Sequence, residues 1–318
     1  MKKRILFICG SLNQTTMLHK ISLYLSDCDC YFSPYYCSGF LKLLLKLGLL
    51  DFSILGGKLK ANTDKYLAKH NLNVDYEGKT NDYDLVVTCS DLIIPKNIRN
   101  NKIVLVQEGM TDPMNFAYKL VKFLHLPRWA SSTAATGQSD AYIAFCVASE
   151  GYKNFFITKG NCIPDKLIVT GIPNFDNCKE FLNNEFPYKN YVLICTSDGR
   201  ETYKIERRKK FLKDVAKIAG EKQAIFKLHP NENTKRAAKE IKEILPEALI
   251  FANGNTNHMI ANCDVLIVEY SSVIYIGLAL GKDVHTFKFD MEELKKLTPI
   301  QNNGESAKNI SEVCRKYL

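Results

Sequence analysis

The sequence has 318 residues, of which 46% are apolar and 24% are charged, which is typical of a globular protein with two domains. Its eleven cysteines form no C-x-x-C pair, which excludes a small disulfide scaffold and favours buried thiols in a reducing cytosol. The formal net charge of +9 favours an anionic partner. Because no nucleic-acid-binding motif is present, we expect a nucleotide or a membrane surface and no nucleic acid.

Short apolar runs rich in Val and Ile recur along the whole chain. Runs of this kind are typical of parallel strands that are covered on both faces. Segments with helical periodicity separate them, and this alternation predicts βαβ units in an α/β protein with two parallel sheets. The predicted strands are Ile5–Cys9, Leu85–Cys89, Ile103–Gln107, Ala141–Cys146, Leu167–Thr170, Tyr191–Cys195, Ala224–Leu228, Ala248–Ala252 and Val265–Val268.

The first predicted strand, Ile5–Cys9, leads into a turn followed by polar residues. Its apolar run is too short for a secretory signal, and no run reaches the roughly 18 apolar residues of a membrane span. Gly10, Ser11, Asn13 and Thr15 suit a tight turn and the start of a helix. They are either ordinary turn residues or an anion site at a helix N-terminus.

Two segments of the first half combine large apolar residues with basic ones. Phe40–Leu50 reads FLKLLLKLGLL, and Phe116–Trp129 reads FAYKLVKFLHLPRW and ends at the only tryptophan. Either segment could cover one face of the first sheet with its apolar side. Alternatively, both could lie in a lipid interface, which would add an anionic membrane surface as a partner.

Two acidic residues follow the predicted strand Ile103–Gln107. Ligands of parallel sheets bind at the carboxyl ends of the strands, where loops and helix N-termini converge. Glu108 lies at such an end, and Asp112 follows shortly after it. Glu108 is either a solvated loop acid or a general base, and Asp112 is a weaker candidate for the same role.

The stretch GIPNFDNCKEFLNNEFPYKN predicts the domain boundary, because Gly171 and Pro173 end one sheet and Pro187 precedes a new first strand. We therefore expect one Rossmann-like domain over residues 1–182 and a second over 183–318. The sheets of the two domains are expected to face a central cleft. The final helix is expected to pack back on the first domain.

The first strand of the second domain runs into CTSDGRETYK. Hydroxyl groups, a permissive backbone and a guanidinium are the groups that surround phosphates in many proteins. Thr196, Ser197, Gly199 and Arg200 supply them here. The alternative is an ordinary turn followed by a solvated charge.

The next strand ends in Lys227-Leu228-His229-Pro230. The proline cannot continue the strand ladder, and it favours an extended conformation of the residue before it. The histidine should therefore leave the top of the sheet, where an imidazole can donate a proton or a hydrogen bond to a phosphate.

The last predicted strand, Val265–Val268, is followed by Glu269, Ser271 and Ser272. The serines either cap the apolar helix that runs to Leu280 or donate hydroxyl hydrogen bonds to an anion at its N-terminus. Ser271 lies 42 residues after the histidine of the preceding motif, so both are expected at one sheet edge.

These residues resemble the carboxyl-terminal domain of GT-B glycosyltransferases. The His229-Pro230 pair and the run from Glu269 to Ser272 look like the motifs of the branch that contains bacterial polysialyltransferases, capsule Kdo transferases and CDP-glycerol glycerophosphotransferases. The stretch VTGIPNFD resembles the linker of this superfamily, which includes the non-hydrolysing UDP-N-acetylglucosamine 2-epimerases. The resemblance covers about residues 166–284.

The resemblance implies an inverting, metal-independent transfer from a nucleotide sugar, with a CMP-sugar preferred over a UDP-sugar and with no cofactor. It implies that the first domain binds a glycan or a lipid-linked glycan, and that the second domain binds the donor nucleotide. Glu108 would be the base, and His229 would contact the leaving phosphate. The donor residues would be Thr196, Ser197, Gly199, Arg200, Lys227, His229, Pro230, Glu269, Ser271 and Ser272. The expected location is the cytoplasm or the inner face of the membrane, in surface polysaccharide or glycolipid synthesis.

Two departures from the resemblance leave alternatives open. Ile276 stands where many relatives carry an acid for the donor ribose, and Asp283 stands where many carry a proline. The Ser-Ser motif argues against the epimerases, which favour Ser-Gly-Gly. The alternatives are a CDP-glycerol-type glycerophosphotransferase, a 2-epimerase-like enzyme, and a non-catalytic protein that binds nucleotide sugars.

Overall fold

The computed structural model describes residues 2–111, 118, 121, 123, 124, 126–201, 206–269, 271–287, 289–301 and 303–318. The chain forms two compact units, one of residues 1–176 together with Ile300–Leu318, and one of Asn177–Pro299. The division therefore falls six residues before the expected boundary, and the last segment belongs to the first unit. Each unit contains one parallel sheet.

The sheet of the first unit has six parallel strands in the order β2-β1-β3-β4-β5-β6. Every residue of β3, β4 and β5 is buried, as expected for central strands covered on both faces. The strands are β1 (Arg4–Cys9), β2 (Asp29–Pro34), β3 (Leu85–Thr88), β4 (Ile103–Val106), β5 (Ala144–Val147) and β6 (Leu167–Val169).

The sheet of the second unit has five parallel strands in the order β11-β10-β7-β8-β9. The central strand is therefore the first strand of this unit, and its neighbours come from two later βαβ crossovers. The strands are β7 (Val192–Cys195), β8 (Ala224–Lys227), β9 (Leu249–Phe251), β10 (Val265–Val268) and β11 (Asp283–Thr286).

Helices connect successive strands in both units. Those of the first unit are α1 (Leu12–Ser22), α2 (Phe40–Lys46), α3 (Gly57–Lys69) and α4 (Glu150–Thr158). Those of the second unit are α5 (Arg208–Ala219), α6 (Thr234–Lys242), α7 (Thr256–Asn262), α8 (Ile274–Ala279) and α9 (Met291–Lys296). The last helix, α10 (Ser306–Tyr317), packs against α1 of the first unit. Short 3-10 helices include Arg128–Ala135 and Cys178–Leu182.

The core of the second unit shows how the apolar pattern builds the layers. Phe211, Leu212 and Val215 form the buried face of α5, and they pack on Ile194 of β7 and Phe226 of β8. Apart from Arg208, the charged residues of the same helix lie on the opposite face, as its periodicity predicts. This packing fixes the carboxyl ends of β7 and β8 side by side.

None of the helices in the part of the chain that the structure describes is long and apolar enough to cross a bilayer. Six of the fourteen residues of the segment Phe116–Trp129 lie outside the described residues.

Candidate functional site

Glu108 lies two residues beyond β4, in a ring of donors from the start of α1. Ser11 Oγ donates to Glu108 Oε1 at 2.9 Å, and Asn13 Nδ2 donates to the same oxygen at 3.2 Å. Gln14 Nε2 donates to Oε2 at 2.5 Å. The carboxyl ends of β1 and β4 thus meet through side chains, although β3 separates the two strands.

An anion site at the N-terminus of α1 is one of the two interpretations of the sequence, and in the structure the carboxylate of Glu108 lies there. Ser11 is the N-cap of α1, because its hydroxyl also accepts from Gln14 N at 3.2 Å. A carboxylate has about four acceptor positions, and three of these donors occupy three of them. One position remains for an external hydroxyl, so the ring can hold Glu108 in place as a base.

Thr15, which was expected on the acceptor side, is fully buried. Its hydroxyl donates to Ser11 O at 2.8 Å and lies 3.1 Å from Thr63 Oγ1, which donates to Gly10 O at 2.9 Å. Thr15 therefore braces the turn between β1 and α1 and does not face a ligand. Asp112, the second candidate for the base, lies outside the described residues.

Gln14 was missed in the sequence analysis. It stands three residues after Ser11, in the S-x-x-Q pattern of a capping box, and that pattern could have identified it. Only 5% of Gln14 is exposed, and its amide donates to Glu108 in place of the N-cap backbone. A Cβ on Gly10 would lie 1.8 Å from Gln14 Oε1, so the glycine leaves the space that the glutamine fills.

We expect Gly10→Ala to lower the free energy of unfolding by about 1–3 kcal/mol, because the new methyl group overpacks against Gln14. Gln14→Ala removes the obstacle, so the double variant should be no less stable than Gln14→Ala alone. Urea unfolding of the two single variants and the double variant checks this. Additive losses would show that Gly10 and Gln14 are not coupled.

The linker between the units contributes a second contact that sequence reasoning missed. Asn174, in the stretch VTGIPNFD, donates through Nδ2 to Asn13 O and Asn13 Oδ1, both at 2.8 Å. It also donates to Thr16 Oγ1 at 2.9 Å. The linker motif thus holds Asn13 in the orientation in which it contacts Glu108.

In the second unit, the loops after β7, β8 and β10 meet at one edge of the sheet. His229 N donates to Thr196 Oγ1 at 3.2 Å, which joins the loops after β8 and β7. Ser197 N donates to Glu269 Oε2 at 3.3 Å, which joins the loops after β7 and β10. The His-Pro and Ser-Ser motifs therefore lie on either side of the central strand.

The His229 ring leaves the sheet top as its place before Pro230 predicts. Its side chain is 34% exposed, and Nδ1 accepts from Asn231 N at 3.3 Å. Asp198 Oδ2 lies 3.5 Å from the same nitrogen and accepts from Asn231 Nδ2 at 3.0 Å. Asp198, which the sequence analysis did not single out, thereby holds Asn231, whose backbone N–H contacts the imidazole, so Asp198 orients the ring through Asn231.

The two serines of the Ser-Ser motif precede α8 without capping it through their side chains. The N-cap of α8 is Val273, which has no side-chain capping bond, and Ser271 Oγ is 3.5 Å from Val273 N. Ser271 and Ser272 are both half-buried. Because α8 has only six residues, its N-terminus is a weak anion site by itself. The hydroxyl groups of Ser271 and Ser272 are therefore the donors that this segment can provide to an anion. Tyr270 lies outside the described residues.

Lys227 is turned toward backbone carbonyls. Its ammonium donates to Leu228 O at 2.8 Å and to Ala252 O at 3.1 Å, which ties the end of β8 to the end of β9. Burial lowers the pKa of Lys227, because the charged form is desolvated. The structure therefore gives Lys227 a bracing role, and its contact with a phosphate stays a prediction.

Two other residues of the predicted phosphate loop have contacts of their own. Arg200 Nη1 lies 2.7 Å from Glu240 Oε1, and Arg200 Nε lies 3.4 Å from Glu206 Oε2. A phosphate would have to compete with these carboxylates. A Cβ on Gly199 would meet no atom closer than 3.6 Å, so neighbouring atoms do not require a glycine at this position.

A buried arginine, Arg208 at the start of α5, lies beneath the same edge and was also missed. Only 3% of it is exposed, and its guanidinium lies between four carboxylates. The distances from its nitrogens are 2.8 Å to Glu232, 3.5 Å to Glu206 and 3.6 Å to both Glu240 and Glu269. Glu232 also accepts from the Thr196 hydroxyl, so Arg208 supports the loops that carry the candidate residues.

Burial raises the pKa of Glu232, because the loss of solvation outweighs the attraction of Arg208. Glu269, expected near the donor, is 3% exposed and contacts Arg208 and Ser197 N. Its contacts position the loop after β7, and a direct contact with the donor stays a prediction. Ile276 is 4% exposed, so an apolar residue suits that position in α8.

Comparison with known proteins identifies the fold. No protein-family model matches the chain, and no curated relative matches it. The UDP-GlcNAc 2-epimerase from Neisseria meningitidis bound to UDP-GlcNAc matches with a TM-score of 0.60 at 13% identity, covering 98% of this chain and 100% of that chain. The UDP-GlcNAc 2-epimerase from Methanocaldococcus jannaschii in complex with UDP-GlcNAc and UDP matches with a TM-score of 0.58 at 14% identity, covering 98% and 99%.

A variant of the wall teichoic acid polymerase TagF soaked with CDPG matches with a TM-score of 0.50 at 11% identity, covering 99% of this chain and 88% of that chain. At these identities the likeness shows the fold. The protein has an α/β fold of the GT-B type with two parallel sheets, which confirms the predicted fold class.

Proposed function

We propose that the protein is an inverting, metal-independent glycosyltransferase that uses a nucleotide-activated sugar, with a CMP-sugar preferred over a UDP-sugar. The observation that carries this proposal is the convergence of the His-Pro motif, the Thr196-Ser197 pair and the Ser-Ser motif at the carboxyl edge of the second sheet. Imidazole and hydroxyl donors at such an edge suit the charge that develops on a departing phosphate.

The second unit holds the donor in this proposal. His229, oriented by Asp198, donates to the phosphate oxygen that becomes negative as the bond to the sugar breaks. The hydroxyl groups of Ser271 and Ser272 approach the phosphate from the other side of β7. Ser197 is 5% exposed, and its Oγ has no hydrogen-bond partner among the residues that the structure describes, which leaves a buried donor at this edge.

The first unit holds the acceptor, a glycan or a lipid-linked glycan. Glu108 accepts the proton of an acceptor hydroxyl at its remaining acceptor position, and the hydroxyl oxygen attacks the anomeric carbon of the donor. The bond from that carbon to the phosphate oxygen breaks, and the nucleotide leaves with the electron pair. Attack from the face opposite the nucleotide inverts the configuration. The reaction belongs to surface polysaccharide or glycolipid synthesis on the cytoplasmic side.

A second candidate is a glycerophosphotransferase that uses CDP-glycerol. The Ser-Ser motif resembles that branch, and the fold likeness to the teichoic acid polymerase extends over the full chain. Donor specificity separates the two candidates.

The proposal is tested by incubation with CMP-, UDP- and CDP-linked donors and oligosaccharide acceptors. We expect acceptor-dependent release of CMP from a CMP-sugar. Release of CMP from CDP-glycerol alone would favour the second candidate, and conversion of UDP-GlcNAc without an acceptor would favour an epimerase. Binding of a donor without turnover in any arm would favour a non-catalytic role.

We expect Glu108→Gln to lower kcat by about 10²-fold, because the amide cannot take the proton of the acceptor. Steady-state kinetics with saturating donor measures the loss. The substitution also disturbs hydrogen bonding, because the new amide would face the three donors of the ring. Asn13→Ala is the control for this disturbance, because it removes one of these donors and keeps the carboxylate. Equal activity in Glu108→Gln and the wild type would assign the base to another residue.

A further inference from the structure

More than half of the exposed large apolar side chains among the described residues lie in two segments of the first unit, residues 40–52 and 123–129. The most exposed are Phe40 at 70% and Phe123 at 78%. We call this set the apolar surface, and its members are Phe40, Leu43, Leu47, Leu49, Phe52, Phe123, Leu124, Leu126 and Trp129.

The helix α2 is the clearest part of the apolar surface. Its sequence, FLKLLLK, has five apolar residues in seven, and none of the seven is buried. A helix that covers a sheet buries its apolar face against it. α2 has no buried apolar face of this kind, and Leu41, Leu44 and Leu45 are only partly covered.

A groove of about 630 Å³ connects the two segments. Leu41 of α2 lines it together with Pro127 and Trp129 of the second segment, and Leu92, Ile93 and Ile94 also contribute to its walls. Leu41 of the first segment and Pro127 and Trp129 of the second therefore share the walls of one groove.

The charges around the groove are few. Arg99, Arg128 and Asp140 line it, but Arg128 is 3.0 Å from the buried Asp91. Lys42 of α2 is 2.6 Å from Glu77. In the ranges that the structure describes, Lys46 and Arg99 have no carboxylate within ion-pair distance.

We propose that the apolar surface inserts into the interface of a phospholipid bilayer and that its apolar side chains supply most of the attachment. Tryptophan prefers this interface, and the long stem of Lys46 can lie along apolar surface while its ammonium reaches the headgroups. Exposed apolar surface of this extent on a helix is typical of a helix that lies in the interface plane.

The proposal revises the electrostatic expectation from the sequence. Lys119 and Lys122 lie outside the described residues, and Lys42 and Arg128 have partners within the unit. Among the described basic side chains near the groove, Lys46 and Arg99 remain to attract anionic headgroups, and we expect salt to weaken this part of the attachment only moderately. The proposal is independent of the transferase reaction, because attachment to lipid needs neither donor nor acceptor.

The test is co-sedimentation with vesicles of phosphatidylcholine and of an equimolar mixture of phosphatidylcholine and phosphatidylglycerol, at low and physiological salt. We expect binding to both vesicles, and a loss of less than about tenfold on raising the salt. Leu43→Glu and Leu47→Glu should each weaken binding by at least about tenfold. The fluorescence of Trp129, the only tryptophan, should shift to shorter wavelength on binding.

Ile163→Glu is the matched control, because Ile163 is 50% exposed in the same unit and lies outside the apolar surface, against 53% for Leu43. Its binding should equal that of the wild type. Circular dichroism of every variant confirms folding, and Leu47→Glu replaces Leu43→Glu if the latter unfolds. Absence of binding, or equal losses in Ile163→Glu, would overturn the proposal. Self-association without vesicles that Leu43→Glu abolishes would assign the surface to a second copy of the chain and would also overturn it.

Discussion

Replacement of His229 by alanine is expected to lower kcat by about 10²- to 10³-fold, the usual effect of removing one donor that stabilises charge in a transition state. The free energy of unfolding should change little, because the side chain is 34% exposed and leaves the top of the sheet. The KM for the donor should change less than kcat, since the lost hydrogen bond strengthens as the phosphate departs. Steady-state kinetics and urea unfolding measure the two effects.

His258→Ala provides the control for this result, because it removes a histidine of the same unit that lies in α7 and outside the loops after β7, β8 and β10. It should keep the activity of the wild type. Asp198→Asn should have an intermediate effect, because Asp198 orients the imidazole without contacting the donor. Full turnover in the His229→Ala variant would show that the leaving phosphate does not depend on this edge of the sheet.

The second large effect concerns stability. We expect Arg208→Ala to lower the free energy of unfolding by about 3–5 kcal/mol, because it leaves buried carboxylates without a counter-charge. The loss should grow as the pH rises. Burial already raises the pKa of Glu232, and without Arg208 this carboxyl is tolerated in the folded state only when it is protonated. Urea unfolding at several pH values measures both effects.

Lys209→Ala is the matched control for Arg208→Ala, since Lys209 is the next residue of α5 and is exposed. It should change the free energy of unfolding by no more than about 0.5 kcal/mol. If Arg208→Ala lowered the free energy of unfolding as little as Lys209→Ala does, this would show that other groups compensate the carboxylates around Arg208.

The strands show how far an apolar pattern predicts this fold. All nine predicted strands are present, eight of them with shifted ends and Val265–Val268 with the predicted bounds, and the two that the pattern missed are β2 and β11. Both are edge strands, and their sequences, DCYFSP and DVHT, mix polar and apolar residues. A central parallel strand must be apolar on both faces, whereas an edge strand need not be, so its sequence carries a weaker signal.

The candidate site shows a similar limit. His229 and Ser271 could be placed at one edge from sequence, because strand ends of a parallel sheet meet there. The contacts of Arg208 with Glu232, Glu240 and Glu269 could not, because they join elements that are far apart in the chain. A charged residue in an amphipathic helix reads as solvated, and only packing shows that this one is buried.

The assignment of the last segment, Ile300–Leu318, to the first unit rests on contacts between residues that are far apart in the chain, and no local sequence pattern predicts such contacts. Ile172 N donates to Ile300 O at 3.1 Å, and the carboxylate of Asp176 accepts from Ser306 N at 2.9 Å. These bonds join the end of the linker to the last segment of the chain. The first unit is therefore completed by residues that follow the second unit in sequence.

We propose that the edge formed by the loops after β7, β8 and β10 binds the donor nucleotide. Thermal unfolding in the presence of CMP, CDP, UDP and GDP tests it most directly, in the wild type and in a Ser271→Ala/Ser272→Ala variant. A nucleotide at 100 times its dissociation constant should add about 2.7 kcal/mol of stability. We predict that CMP or CDP stabilises the wild type and that the double variant loses this stabilisation while its stability without ligand is unchanged. No stabilisation by any of the four nucleotides, or equal stabilisation of the wild type and the double variant, would contradict the claim.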